Sequence, residues 1–236
     1  MSKQLHDIIF ISYLESNADK NWLQLKERFP RAKRVHGVAG ILEAHQEAAR
    51  RSNTDFFFTI DGDNQILPSF SFQNIHPSLC QDSLYVWRCR NPVNGLTYGY
   101  GAVKLYNKSI IGRMTELKES DLATTAFRHY QIIDEVASET HFHCTPKEAW
   151  RGAFRECAKL TQQLQNNPRD KQTQERLHIW CHHSSDHNNG QWVIRGANSG
   201  KAFASNINTG QSIAKFINNF EWLEMKFIQE NEHGTF

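Results

Sequence analysis

No apolar stretch in this chain approaches the length needed to cross a bilayer, and its start, Met1-Ser2-Lys3-Gln4-Leu5-His6-Asp7, lacks the apolar core of a signal peptide. No membrane partner is therefore expected, and a cytoplasmic location is. Strong net charge is missing as well. At +2 the bulk electrostatics do not demand a polyanionic partner, although a local basic face can serve one. Nor is there a disulfide frame: the five cysteines (Cys80, Cys89, Cys144, Cys157, Cys181) are odd in number and scattered, and read as reduced thiols. Internal repeats and low-complexity linkers are also lacking, and none of these features specifies an oligomer. What remains is ordinary globular composition, 11% aromatic and 22% charged over 236 residues, enough to bury a full core.

The first half alternates strand and helix. Ile8 to Tyr13 is an apolar strand, and Asn17 suits the cap of a helix carrying Trp22, Leu23, Leu25 and Phe29, which Pro30 ends. Lys33 to Val38 is a second short strand, and residues 40–51 form a helix with Leu42, His45, Ala48 and Ala49 on one face. A third strand follows at once. This β-α-β-α-β order within about sixty residues is the pattern of a parallel half-sheet.

That third strand carries the most chemistry. The run Phe56-Phe57-Phe58-Thr59-Ile60 ends abruptly in Asp61-Gly62-Asp63-Asn64. Its apolar length suits a strand buried on both faces, so its end emerges at the carboxyl edge of the sheet, where open α/β folds place ligands. Two carboxylates so close repel unless a cation sits between them, and a hard divalent ion does this while also binding phosphate oxygens. A solvated acidic turn is the plain alternative.

Further on the texture changes. Leu84 to Arg90 reads as a strand, Asn91-Pro92-Val93-Asn94-Gly95 as turn chemistry, and Tyr98 to Tyr106 as another strand punctuated by Gly99 and Gly101. A short helix or turn covers 107–114, and an acidic corner holds Glu116, Glu119 and Asp121. Residues 146–165 form a helix, Asn167-Pro168-Arg169-Asp170 breaks it, and a second helix carries Leu177 and Trp180. A stretch rich in Gly and Asn, 188–200, then precedes a last amphipathic helix bearing Ile213, Phe216, Ile217, Phe220 and Leu223.

The run from Gly37 through Ala49 to Asp61-Gly62-Asp63-Asn64 and Leu67-Pro68 resembles the nucleotide-sugar half of GT-A glycosyltransferases, especially the family 2-like group. Tyr98-Gly99-Tyr100-Gly101-Ala102-Val103-Lys104-Leu105 is similar to their glycine-containing strand behind the donor sugar, and Glu119-Ser120-Asp121-Leu122 to the acidic motif that supplies the base in inverting members. Trp150-Arg151-Gly152-Ala153-Phe154-Arg155 stands where those enzymes carry an arginine- and tryptophan-containing helix, but departs from the usual Gln-x-x-Arg-Trp. The resemblance covers residues 8–160. More narrowly, residues 85–95 together with 153–157 resemble small glycosyltransferase-like proteins of tailed phages, some of which decorate hydroxymethylated cytosine in viral DNA.

The resemblance implies a single α/β domain of GT-A, Rossmann-like type, with a mostly parallel sheet flanked by helices. Residues 1–80 would be its nucleotide-sugar half, 81–160 its acceptor and catalytic half, and 161–236 a helical C-terminal extension. It implies Mn²⁺ or Mg²⁺ held by Asp61 and Asp63, and a UDP-sugar donor whose nucleoside meets Ser12 and Glu15. Asp121, with Glu119 as fallback, would deprotonate the acceptor hydroxyl; Asp121 is equally suited to capping a helix. Arg88, Arg90, Tyr98 and Tyr100 would form the diphosphate or acceptor platform, with Trp87 or a nearby tyrosine stacking near an extruded nucleotide; buried aromatics on ordinary strand surface are the plain alternative. The acceptor implied is 5-hydroxymethylcytosine in double-stranded or locally opened phage DNA, receiving a pentose such as arabinose or a hexose, which would place the protein in the host cytoplasm.

Rival readings stay open. A nucleotidyltransferase of related fold usually opens with a Gly-rich loop and lysine, where this chain has Ser12-Tyr13-Leu14-Glu15-Ser16. A non-catalytic nucleic-acid-binding module would keep binding without Asp61 and Asp63. His141, His143, Cys144, His178, Cys181, His182, His183, Asp186 and His187 offer zinc ligands in no recognised finger spacing. Gly196 to Ala202 is one residue too short for a phosphate loop and lacks its Ser or Thr.

Overall fold

A computed structural model describes residues 6–73, 82–99, 102–115, 127, 129–184, 187–207 and 213–231. The chain divides into two compact units, Met1–His141 and Phe142–Phe236. The division falls where a long strand stops, so the helix starting at Pro146 belongs to the second unit and the first holds the whole sheet.

In the first unit, strands β1 (Asp7–Ser12), β2 (Lys33–His36) and β3 (Phe56–Asp61) alternate with helices α1 (Ala18–Arg28) and α2 (Ile41–Arg51). There follow β4 (Asn64–Ile66), β5 (Ser83–Arg90), β6 (Thr97–Tyr98), β7 (Lys104–Asn107), helix α3 (Lys108–Arg113) and β8 (His129–Thr140). The sheet order is β2-β1-β3-β7-β5-β8-β4, with β6 added to β5. The class is α/β, with a sheet flanked by helices, but among the described residues parallel pairing is confined to β1 with its two neighbours and to β5 with β8, and the other ladders are antiparallel. Short connections explain this, since β6 and β7 follow β5 too closely for a helical crossover.

Successive β3 residues point to opposite faces, and both faces are covered. Phe58 and Ile60 join Ile8, Phe10, Leu25, Phe70, Phe72 and Trp87 on one side. Phe57 joins Ile9, Val35, Leu42, Ala48, Ala49 and Tyr106 on the other. The sheet cannot be flat. From β3 to β4 there are four strand steps, about 19 Å laterally at the usual spacing, yet only Gly62 and Asp63 link the two strands and span at most about 11 Å. The sheet curls, and the acidic turn sits where the curl brings the end of β8 back beside β3.

The second unit contains α4 (Pro146–Asn166), α5 (Lys171–His182), α6 (Gly190–Asn206), α7 (Ala214–Ile217) and α8 (Phe220–Asn231). Thr145 starts α4, its hydroxyl accepting from the Glu148 amide at 3.2 Å, with Pro146 in the first turn. Trp150, Phe154, Ala204, Ile217 and Leu223 share one core. The Gly- and Asn-rich stretch is a helix from Gly190 onward. Its glycines serve packing: a Cβ on Gly196 would lie 2.1 Å from the Trp150 carbonyl oxygen, and one on Gly200 2.2 Å from that of Phe154. The last amphipathic segment is two helices, with Asn218 and Asn219 between them.

Candidate active site

The carboxyl ends of β1 and β3 lie side by side, with Ile11 opposite Asp61. Ser12 ends β1, buried at 3% exposure. Its hydroxyl accepts from Arg34 Nε at 3.0 Å and lies 3.0 Å from His36 Nδ1, while the Arg34 fork also reaches Asp19 at 2.7 Å. The chain then turns, and the Tyr13 amide donates to Glu15 Oε2 at 2.7 Å, which folds the Glu15 carboxylate back over Gly62. Only glycine fits there, because a Cβ would stand 2.7 Å from Glu15 Oε2 and 2.8 Å from Ser12 Cβ.

Glu15, Asp61 and Asp63 therefore converge. Asp61 is partly exposed and receives Lys104 Nζ at 3.2 Å. Asp63 Oδ1 accepts from Asn64 Nδ2 at 2.7 Å, and the Thr140 hydroxyl lies 3.4 Å from Oδ2. Burial, then the charges of Asp61 and Glu15, push the Asp63 carboxyl up to about 6. The turn is held from both sides. Asn21 Nδ2 donates to the Gly62 carbonyl at 3.0 Å, and the His141 amide donates to the Asp63 carbonyl at 2.7 Å. Asn17 stands at the start of α1 but does not cap it through its side chain; its amide instead donates to the His141 carbonyl at 2.9 Å, tying α1 to the end of β8.

The expected platform is differently used. Arg88 Nε donates to Asp134 at 2.6 Å, and Arg90 is paired with Glu139. Tyr98 is buried, its hydroxyl accepting from Asn91 at 2.7 Å. Trp87 is a core residue at 4% exposure, packed on Phe58 and Phe70, so the expectation that it stacks on a base fails. A strand buried on both faces has no free side on which to present an indole. Tyr100, Glu119 and Asp121 lie outside the described residues. Lys104, Thr140 and Asn21 escaped the sequence reading because their only signal is three-dimensional adjacency to the acidic turn.

Among the described residues no group of three or more His, Cys, Asp or Glu side chains is arranged to hold a metal ion. His178 and His182 stack at 4.3 Å in α5, and His143 lies 5.6 Å from His187; Asp186 is outside the described residues. The described cysteines Cys89, Cys144, Cys157 and Cys181 form no disulfide. No described helix is long and apolar enough to cross a membrane.

No protein-family model and no curated protein matches this chain. Among solved structures, the chain is similar to a glycosyltransferase involved in the glycosylation of the major capsid of PBCV-1, at 15% identity and a TM-score of 0.34. The likeness covers 44% of this chain and spans 61% of that structure's length.

Proposed function

We propose that this chain is a glycosyltransferase that moves a sugar from a nucleotide-diphosphate donor, of the UDP kind, to a hydroxyl acceptor. The observation that carries the reading is the convergence of Glu15, Asp61 and Asp63 at the carboxyl edge of the parallel β1–β3 pair, with the Asp63 carboxyl pushed up to about 6. Such concentrated negative charge calls for a cation, and its place at that edge is where α/β sheets receive ligands.

Asp61 and Asp63 would hold Mn²⁺ or Mg²⁺, with the remaining oxygen ligands drawn from the donor diphosphate and water. The bound ion would supply Lewis-acid stabilisation of the departing diphosphate. Lys104, already drawn to Asp61, adds a second positive charge beside that turn. Ser12, oriented by Arg34 and His36, would meet the nucleoside. Asp121, with Glu119 behind it, would take the proton from the acceptor; these roles come from the resemblance of residues 119–122.

The acceptor we propose is the hydroxymethyl group of 5-hydroxymethylcytosine in DNA, taking a pentose or a hexose. Arg88 and Arg90 would have to exchange Asp134 and Glu139 for phosphates. The test combines a panel of UDP-sugars, Mn²⁺ and hydroxymethylcytosine-containing DNA, read by nucleoside mass spectrometry. A sugar adduct that Asp63→Ala abolishes supports the reading. Donor hydrolysis without any adduct rejects the DNA acceptor, and full transfer in EDTA rejects the cation.

A further inference from the structure

The acidic turn runs directly into Asn64, the first residue of β4 and 5% exposed. Its amide is engaged on both sides. Oδ1 accepts from the Ser138 hydroxyl at 3.0 Å and from the Cys89 thiol at 3.2 Å, and Nδ2 donates to Asp63 Oδ1 at 2.7 Å. Three strands make this possible: β8 places Ser138 beside Cys89 of β5, and two residues later places Thr140 beside Asn64. Cys89 and Ser138 are 2% and 0% exposed, so no water competes for the amide.

The acceptor-only carboxylate of Asp63 on one side, with the Ser138 hydroxyl and Cys89 thiol on the other, favours one orientation for the group. Flipped, it would turn its oxygen on the Asp63 carboxylate, lone pair against lone pair, and would oblige Ser138 and Cys89 to turn their protons away. The NH₂ therefore faces Asp63 and ties back one oxygen of that carboxylate. The other oxygen lies 3.4 Å from the Thr140 hydroxyl. A carboxylate at position 64 would add a fourth negative charge, and an aliphatic side chain would remove the acceptor of Ser138 and the amide donor to Asp63 Oδ1.

We propose that Asn64, fixed by Ser138 and Cys89, is a positioning residue that sets which oxygen of Asp63 is offered to a divalent cation. The inference rests on the reading of Asp63 as a cation ligand, and it assigns to β5 and β8 the outer layer of that site. Partners that orient a ligating carboxylate typically change metal affinity 10- to 100-fold when removed.

The test is Mn²⁺ binding to the full chain in the presence of UDP, followed by electron paramagnetic resonance, with UDP binding without metal as the control. Asn64→Leu is expected to weaken Mn²⁺ by about 10- to 100-fold while metal-free UDP affinity stays unchanged. Ser138→Ala combined with Cys89→Ala should weaken it several-fold by releasing the amide, and Cys89→Ser, which keeps a donor, should restore most of the affinity over Cys89→Ala. Should Asn64→Leu fail to fold, the Cys89→Ala and Cys89→Ser pair carries the same comparison. Equal Mn²⁺ affinity in wild type and the folded variants overturns the positioning role and leaves the cation reading standing. Absence of Mn²⁺ binding in the wild type overturns the cation reading and the positioning role with it.

Discussion

Asp63 holds its charge at a cost. Burial and the neighbouring Asp61 and Glu15 charges raise its carboxyl from 3.8 to about 6 in the folded chain, so the folded state holds a proton that the unfolded state has released between those values. Stability therefore falls as pH rises from about 4 to about 6 and stays lower above, by up to about 3 kcal/mol in the absence of a cation. Asp63→Asn, which keeps the acceptor for Asn64, should melt higher than wild type at pH 7 in EDTA, and the gap should close below about pH 4. Thermal melts across pH measure this, and a gap independent of pH between 4 and 7 contradicts it. For Asp121 the two jobs separate by kinetics. As a base, Asp121→Asn should lose turnover by roughly 10² to 10⁴ with donor affinity kept; as a cap it should change little, because Asn caps well. Near-normal turnover would move the role to Glu119. The acidic turn itself was legible in sequence because an apolar run long enough for a buried strand ends there. Asn21, Lys104 and Thr140 were not, because each reaches the turn from another strand or helix; Asn64 was visible beside Asp63, but not its bonds to Ser138 and Cys89 on other strands.

At the scale of elements, α6 shows how packing overrides local preference. Gly196 and Gly200 lower helix propensity by about 1 kcal/mol each relative to alanine, and no helix was expected over them. They are kept small by the backbone of α4, 2.1 and 2.2 Å from where a Cβ would stand. Gly200→Ala should therefore lower the melting temperature, because forcing the helices apart costs about 1–3 kcal/mol and outweighs the propensity gain. A rise would show that α4 and α6 separate freely. β8 escaped the sequence for a different reason. Only its end is buried, where Asn64, Gln65 and Ile66 pair with it, so His129-Tyr130-Gln131-Ile132-Ile133-Asp134 shows neither an unbroken apolar run nor clean alternation. β6 and β7, by contrast, were read as one strand because both ends carry strand-forming residues.

For the whole molecule, a ligand that binds only the folded chain stabilises it by mass action. UDP at a hundredfold excess over its dissociation constant should add about 2.7 kcal/mol when Mn²⁺ is present and much less in EDTA; differential scanning fluorimetry reads the contrast, and equal shifts with and without the ion would speak against Asp61 and Asp63 as its ligands. The α/β class, the β-α-β-α-β opening and the strand-tip carboxylates followed from sequence alone, because hydrophobic periodicity and the abrupt change from Ile60 to Asp61 are local signals. The tertiary structure decided the rest. The curl that returns β8 to the acidic turn, the ion pairs that occupy Arg88 and Arg90, the burial of Trp87 and the division at His141 all depend on which strands become neighbours, and strand order in a sheet is set by contacts between residues far apart in the chain.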